Sequence, residues 1–412
     1  MSSQAQIPPL TAYQKRLLIF LSVASFFEGY DFFALSQILP NLGDEMGLSA
    51  EWKTRMVSAI NAGTIVAFLL IRKADRLGRR MVLNVTILGY AVCSLLSGFA
   101  PNPWVFTILQ FFARIFLIGE WAIAMVYAAE EYPAERRGMA IGVIQAFSSV
   151  GGIVCAGVVP LLLQTPYGWR SVYWVGTLPL LILAFARRNI RETARFEARA
   201  EEVKGQHQSI WRIFRTPYRK RLLIVAAIWA LTYLCTQNAV TFWKQFVVAE
   251  RGFSDADVGQ AMPIAAVASV PLLFFVGRYL DRVGRRSGAA LIYVVTAAGV
   301  LGSYSLYNKW MLTAALSVGI LGTTAVLQVL NAFTTELFPT ELRSDAFAWS
   351  NNILGRIGYT LSPLIVGYLA PMWGWGPAVR LTTIFTIFAL VLILVFLPET
   401  AGKELEETSR LD

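Results

Sequence analysis

Ala74-Asp75-Arg76-Leu77-Gly78-Arg79-Arg80 and Leu280-Asp281-Arg282-Val283-Gly284-Arg285-Arg286 carry the same motif, Asp-Arg-x-Gly-Arg-Arg. From Asp75 to Asp281 is 206 residues, half of the 412-residue chain. The same interval joins Glu130 to Glu336, Pro133 to Pro339, Glu135 to Glu341, Arg137 to Arg343, Gly168 to Gly374 and Trp169 to Trp375. One offset held over such distances makes the second half a repeat of the first. Both copies lie in strongly apolar sequence, and duplicated membrane halves are how many transporters build two bundles around a central site.

Working outward from the motifs, a composition of 56% hydrophobic residues is too apolar for an ordinary soluble domain. The apolar runs are long enough to span a hydrocarbon core of roughly 30 Å. They predict an all-α integral membrane protein with twelve helices, at about 15–40, 53–73, 79–99, 103–130, 137–165, 168–187, 219–249, 257–280, 286–306, 309–337, 343–371 and 376–397. We number these spans 1 to 12. Residues 1–187 then form an N-terminal six-helix bundle and 219–412 a C-terminal one. Residues 188–218, rich in Arg, Glu and Lys, link them. The charged first run lacks a small-residue cleavage site, so it reads as a retained helix rather than a signal peptide.

The net charge of +10 is explained by topology. With a cytoplasmic N-terminus, one side of the membrane carries only Lys53, Arg55, Arg170, Arg251, Lys309 and Arg380, and most of the other basic residues fall on the opposite side. That positive-inside bias places both termini in the cytoplasm and removes the case for nucleic acid. Cys93, Cys155 and Cys235 all fall within apolar spans, and the single histidine, His207, lies in the charged linker. No disulfide framework, metal site, cofactor or histidine-based catalysis is expected. The absence of a phosphate-binding G-x-x-x-x-G-K-[ST] loop argues against an ATP-driven pump.

The paired D-R-x-G-R-R motifs, Pro133-Ala134-Glu135-Arg136-Arg137-Gly138, Pro339-Thr340-Glu341-Leu342-Arg343-Ser344 and Pro398-Glu399-Thr400 resemble the major facilitator superfamily over essentially the whole chain. Within it, Glu28-Gly29-Tyr30-Asp31 is similar to the acidic span-1 motif of aromatic-acid/proton symporters. Gly119-Glu120-Trp121, with Glu130 ten residues beyond Glu120, is similar to the span-4 pattern of metabolite/proton symporters. Sugar porters share the Pro-Glu-Thr ending. The resemblance implies two bundles rocking about a midplane site. It also implies cytoplasmic charge contacts that brace the outward-facing state: Asp75 and Arg79 between spans 2 and 11, Asp281 and Arg285 between spans 8 and 5, completed by Glu130, Arg137, Glu336 and Arg343. One departure stands out. The family's motif begins with a small residue four positions before the Asp, which lets two helices approach. The second copy keeps Gly277, whereas the first has Ile71. Ile71 should weaken closure of the cytoplasmic side and favour an inward-open form; drift absorbed by repacking is the other reading.

Ionisable residues within a span are costly and usually face a cavity or a partner. Glu28 lies about 20 Å into span 1 at 1.5 Å per residue, and Arg114 and Arg356 also come out near mid-depth. Glu28 and Asp31, three apart, share a helix face. Two close carboxylates in low dielectric do not both stay ionised, which makes one a natural proton carrier. Asp31 is the first choice, because the resemblance places the span-1 acid there, and Arg114 is its expected partner. A static ion pair and direct substrate contact are the alternatives. Glu120 is either a second coupling acid or a packing residue. Arg356, with Asn352, Tyr359 and Thr360 on one face, suits a carboxylate gripped bidentately; helix–helix hydrogen bonding is the plainer reading. Gln237, Asn238 and Thr241 in span 7, Tyr30 in span 1, Gln145 in span 5, and Gln328 and Asn331 in span 10 complete the candidate cavity lining.

The preferred reading is a monomeric, proton-coupled symporter of a small organic acid, aromatic carboxylates included, in a bacterial inner membrane, working by alternating access and not an enzyme. A sugar or polyol porter, a proton-driven drug exporter and a non-transporting sensor are the rivals.

Overall fold

The computed structural model describes residues 10–186, 192 and 210–409. His207 and most of the linker expected over 188–218 fall outside them, as does the side chain of Asp75. The described residues are helical without strands. Spans 1 to 6 are Ala12–Glu45, Ala50–Leu77, Arg79–Ser97, Pro103–Glu131, Ala134–Leu163 and Trp169–Ala186. A short 3₁₀ turn, Ile210–Arg215, precedes the second half. Span 7 is Arg219–Thr241 continued by Trp243–Arg251. Spans 8 to 10 are Asp255–Val283, Arg285–Ser303 and Lys309–Glu336. Span 11 is broken into Thr340–Phe347, a π-helical stretch Ala348–Gly355 and Arg356–Trp373, and span 12 into Trp375–Leu381 and Thr383–Phe396.

Eleven of these helices are long and apolar enough to cross a membrane.

Helix starts follow local chemistry. Thr11 with Gln14 and Ser254 with Asp257 form capping boxes, and Asn102 caps a helix that begins with Pro103. Each Asp-Arg-x-Gly-Arg-Arg motif turns at its glycine, Gly78 with φ +93° and Gly284 with φ +99°, conformations that L side chains resist. The turn leaves the first amides of spans 3 and 9 facing an acid. Glu192 accepts from the N–H groups of Arg79 and Arg80 at 3.0 and 3.1 Å. Glu399 accepts from those of Arg285 and Arg286 at 2.6 and 2.9 Å. Both carboxylates thus satisfy helix N-termini in the favourable dipole sense.

Small residues set the close approaches. A Cβ on Gly29 would lie 1.9 Å from the carbonyl oxygen of Ser148, and one on Gly151 would lie 1.8 Å from that of Phe26. Spans 1 and 5 therefore touch backbone to backbone.

The halves share one apolar core at the end remote from the termini. It includes Ala34 to Leu42 of span 1, Cys155 and Val159 of span 5, Phe242 to Val247 of span 7 and Val366 of span 11. At the end bearing the termini the cores are separate. Leu17, Val82, Tyr127 and Ile144 belong to one, and Leu222, Leu280, Phe333 and Leu397 to another. Glycines report the same asymmetry. At the remote end, Cβ atoms built on Gly259 and Gly367 would collide with Pro160 and Thr54 of the other half, whereas those built on Gly138, Gly142 and Gly277 meet nothing within 4 Å among the described residues. The molecule is sealed at one end and parted at the other. Ile71 packs against the first half's own core at the parted end.

Candidate functional site

A cavity of about 260 Å³ lies between the halves. The first half supplies Phe32, Phe33 and Ser36 from span 1, Asn61 from span 2 and Arg114 from span 4. The second supplies Tyr233, Thr236, Gln237 and Thr241 from span 7, Thr323 and Thr324 from span 10, and Arg356 and Tyr359 from span 11. No acidic side chain lines it. The Arg356 guanidinium carbon lies 4.8 Å from the Tyr359 ring centre and 5.3 Å from that of Tyr233. Arg114 sits 4.8 Å from the ring centre of Phe32. The π-helical stretch ends immediately before Arg356; such irregularity is common where a helix aims a functional side chain. Tyr233 donates to Asn351 Oδ1 at 2.8 Å, tying that stretch to span 7.

The acids stand behind this wall. Asp31 is buried and accepts a hydrogen bond from Ser94 Oγ of span 3 at 3.3 Å. Arg114 is within electrostatic reach of Asp31, but no ion pair of 4 Å or less joins them among the described residues. The expected direct partnership is therefore a longer-range one. Glu28 is buried one turn before Asp31 on the same helix. Glu120 accepts from Thr86 Oγ1 at 2.9 Å and faces span 3.

Several candidates sit off the cavity. Tyr30 turns away and donates to the Val172 carbonyl at 3.2 Å, because the ring fits against Gly176 of span 6. Asn238 is used up between spans 7 and 11: it donates to the Ser362 carbonyl at 3.2 Å and accepts from the Ser362 hydroxyl at 2.9 Å. Asn352 and Gln328 are half-buried beside the lining rather than in it, while Gln145 and Asn331 are exposed on the parted side. Gln237, Thr241, Tyr359 and Arg356 do reach the cavity.

The motif charges pair within each half. Arg285 binds Glu336 at 2.9 Å and Asp281 at 2.7 Å, and Thr400 donates to Glu336 at 2.5 Å. Arg79 lies 3.4 Å from Glu130. Arg137 Nε, and Nε and Nη2 of Arg343, have no hydrogen-bond partner among the described residues.

At the sealed end a polar latch crosses between halves. Lys244 Nζ lies 2.5 Å from Asp255 and donates to Asn41 Oδ1 at 3.2 Å; Asn41 Nδ2 donates back to Asp255 at 3.1 Å. Beside it, Lys53 pairs with Asp44 at 3.3 Å and reaches Gln245 at 3.4 Å.

Sequence reasoning missed the latch, Asn61 and Glu192. Asn61 was visible as a lone amide inside the apolar stretch of span 2. Glu192-Thr193 matches Glu399-Thr400 at an interval one residue longer than the rest, which hid it.

The major facilitator superfamily profile matches residues 21–359 and 230–411. A putative niacin/nicotinamide transporter of Bacillus subtilis is 25% identical over 401 residues, covering 96% of this chain and 97% of that protein. A gallate transporter of Pseudomonas putida is 26% identical over 420 residues, covering 93% and 90%. Among solved structures, an inward-facing bacterial homologue of the human lysosomal transporter Spinster superposes with a TM-score of 0.79 at 14% identity, covering 93% of this chain and 97% of that one. A D-xylose–proton symporter superposes at 0.76 with 17% identity, covering 95% and 100%. The duplicated helical halves, the cavity between them and the profile match agree: the chain belongs to the major facilitator superfamily and is a multi-pass membrane secondary transporter, not an enzyme.

Proposed function

We propose that the protein is a proton-coupled symporter of a small organic acid, acting as a monomer in a bacterial inner membrane with both termini in the cytoplasm. The observation that carries the reading is Arg356, cradled by Tyr233 and Tyr359 on a cavity wall without an acidic residue. A half-buried guanidinium inside a membrane span calls for an anion, and a carboxylate accepts from it bidentately. The cavity holds roughly nine water volumes, which limits the substrate to a small molecule. Relatives named for niacin/nicotinamide and gallate support a ring bearing a carboxyl or carboxamide group. Positive-inside charge supports placing the parted end in the cytoplasm, so that this conformation is inward-open.

Asp31, with Glu28 one turn away, carries the proton. Both are buried at mid-span, behind Arg114 and out of the substrate's path. Protonation removes a charge from a desolvated pocket, and only the loaded carrier then rocks without exposing an uncompensated ion. Closure of the parted end brings Arg137 and Arg343 towards the Asp-Arg-x-Gly-Arg-Arg turns of the opposite half.

The test is uptake into proteoliposomes under an imposed pH gradient, across organic acids, sugars and cationic drugs. Acid uptake abolished by a protonophore is expected. Asp31→Asn should equilibrate substrate without accumulating it, and Arg356→Gln should lower acid uptake by about tenfold or more, the worth of one charge-assisted bidentate contact. Accumulation by the Asp31 variant, or full activity of the Arg356 variant, overturns the assignments. Gln237, Thr236 and Thr241 on the wall favour a sugar or polyol as the second reading. It predicts uptake of a neutral ring that tolerates Arg356→Gln.

A further inference from the structure

We infer that the cavity has two acceptor-binding poles, one on each half, and that its substrate is a small ring acid bearing a second anionic group away from its carboxylate. The inference rests on the assignment of Arg356 to a carboxylate and extends it to Arg114 and Asn61.

Among the described residues, three polar atoms of cavity-lining side chains are buried and find no hydrogen-bond partner: Arg114 Nη1, Asn61 Nδ2 and the Tyr359 hydroxyl. The residues are 6%, 1% and 4% exposed, so bulk water does not satisfy them. Unmade hydrogen bonds at buried groups are expensive, more so for a charged donor. The first two atoms are donors only, and what they lack is an acceptor. Arg114 and Asn61 come from spans 4 and 2, while Arg356 and Tyr359 come from span 11, so each half contributes a cation with a neutral polar neighbour.

Asp31 does not complete the first-half pole. Its hydrogen bond goes to Ser94, and no ion pair of 4 Å or less joins it to Arg114 among the described residues. A monocarboxylate satisfies one pole and leaves the guanidinium of the other with only the more distant Asp31 as counter-charge and with Nη1 lacking an acceptor. A dianion satisfies both. Phe32 and Phe33 on one half and Tyr233 and Tyr359 on the other give the wall an aromatic character suited to a ring. Holding both halves also gives the substrate purchase on the transport step. Only a ligand whose contacts differ between arrangements of the halves shifts the equilibrium between them.

The test uses the purified full-length protein in lipid nanodiscs and measures binding of benzoate, phthalate, isophthalate and terephthalate. At least one dicarboxylate should bind about tenfold or more tightly than benzoate, the yield of one charge-assisted contact. Arg114→Gln should weaken dicarboxylate binding about tenfold more than benzoate binding and so erase that advantage. Arg114→Lys, which keeps the charge, should retain part of it and so separates loss of the ligand from loss of the fold. Arg356→Gln should weaken all four acids. The inference is overturned if no dicarboxylate exceeds benzoate, if the advantage survives Arg114→Gln, or if Arg114→Gln abolishes benzoate binding as well. If benzoate binds through Arg356 in the first of those cases, the organic-acid reading stands without the second pole. If the wild type binds sugars and none of the acids, both readings fall.

Discussion

Removing the amide of Asn41 should open the sealed end. Lys244 and Asp255 both belong to the second half, so the hydrogen bonds of Asn41 to each are what carry this latch across to span 1. Lys244 is 1% exposed and Asp255 32% exposed. The partial exposure of Asp255 places each bond near the middle of the range for hydrogen bonds in proteins, about 1 kcal/mol. Asn41→Ala leaves the Lys244–Asp255 pair intact, so no buried charge is stranded. The loss is then about 2 kcal/mol of closure, or roughly a thirtyfold rise in the population open at that end. Cys155 is a built-in reporter, fully buried in the core that the halves share there. With Cys93 and Cys235 replaced by serine, the rate at which a membrane-impermeant maleimide labels Cys155 from the outer face follows the open population when opening and reclosing are fast. The rate should rise roughly thirtyfold in Asn41→Ala while the melting temperature stays within a few degrees of its parent. Equal labelling rates in the two proteins refute the latch.

Gly277→Leu and Gly142→Leu should leave thermal stability unchanged, since a Cβ on either meets nothing within 4 Å among the described residues, yet slow transport at least severalfold by obstructing closure of the parted end; normal uptake by both variants counts against closure through these faces. Ile71→Gly should raise the fraction closed at the parted end, read as protection of a cysteine placed at Gly138, and no added protection removes the gating role of Ile71. Glu399 has its pKa pushed up by burial but pulled further down, to below the usual 4.5, by backbone N–H groups of Ala401, Arg286, Arg285 and Thr400. A group depressed on folding contributes stability above its unfolded pKa and loses it as pH falls through the folded one. The melting temperature of the wild type should therefore drop more steeply below about pH 4.5 than that of Glu399→Gln, and parallel curves would remove the cap.

The helical layout was legible because membrane helices announce themselves by length and hydropathy, and both halves repeat their punctuation. Span boundaries agree with the helices to within a few residues, apart from the deeper start and end of span 1 and the breaks within spans 7, 11 and 12. Hydropathy runs on across those breaks, and neither Ser350-Asn351-Asn352 in span 11 nor Thr382 in span 12 by itself marks a change of helix type. Site residues were legible in proportion to their cost. Arg114, Asp31 and Arg356 stand out because a charge at mid-depth needs a reason. Amides do not: Asn238 and Gln237 are adjacent in sequence, yet one is spent on Ser362 and the other faces the cavity. Rotation by a single residue separates the two roles, and only packing reveals which is which.

Departures from the repeat carry the site more sharply than the repeat itself. At the terminus-bearing end the halves use equivalent parts: Gly78 and Gly284, Arg79 with Glu130 and Arg285 with Glu336, Glu192 and Glu399. At the cavity the equivalence fails. The position 206 residues after Arg114 is Ile320, the one after Asn61 is Val267, and those 206 before Arg356 and Tyr359 are Val150 and Ile153. Asp31 has Gln237 as its counterpart, an acid behind the wall against an amide on it. A symmetric scaffold suits two bundles that must rock as equals about one axis. A small-molecule substrate has no such symmetry, so a cavity that fits one is expected to break the repeat. Arg114, Asn61, Arg356 and Tyr359, each with an apolar counterpart one repeat away, all line the cavity, so there the halves are no longer copies of one another.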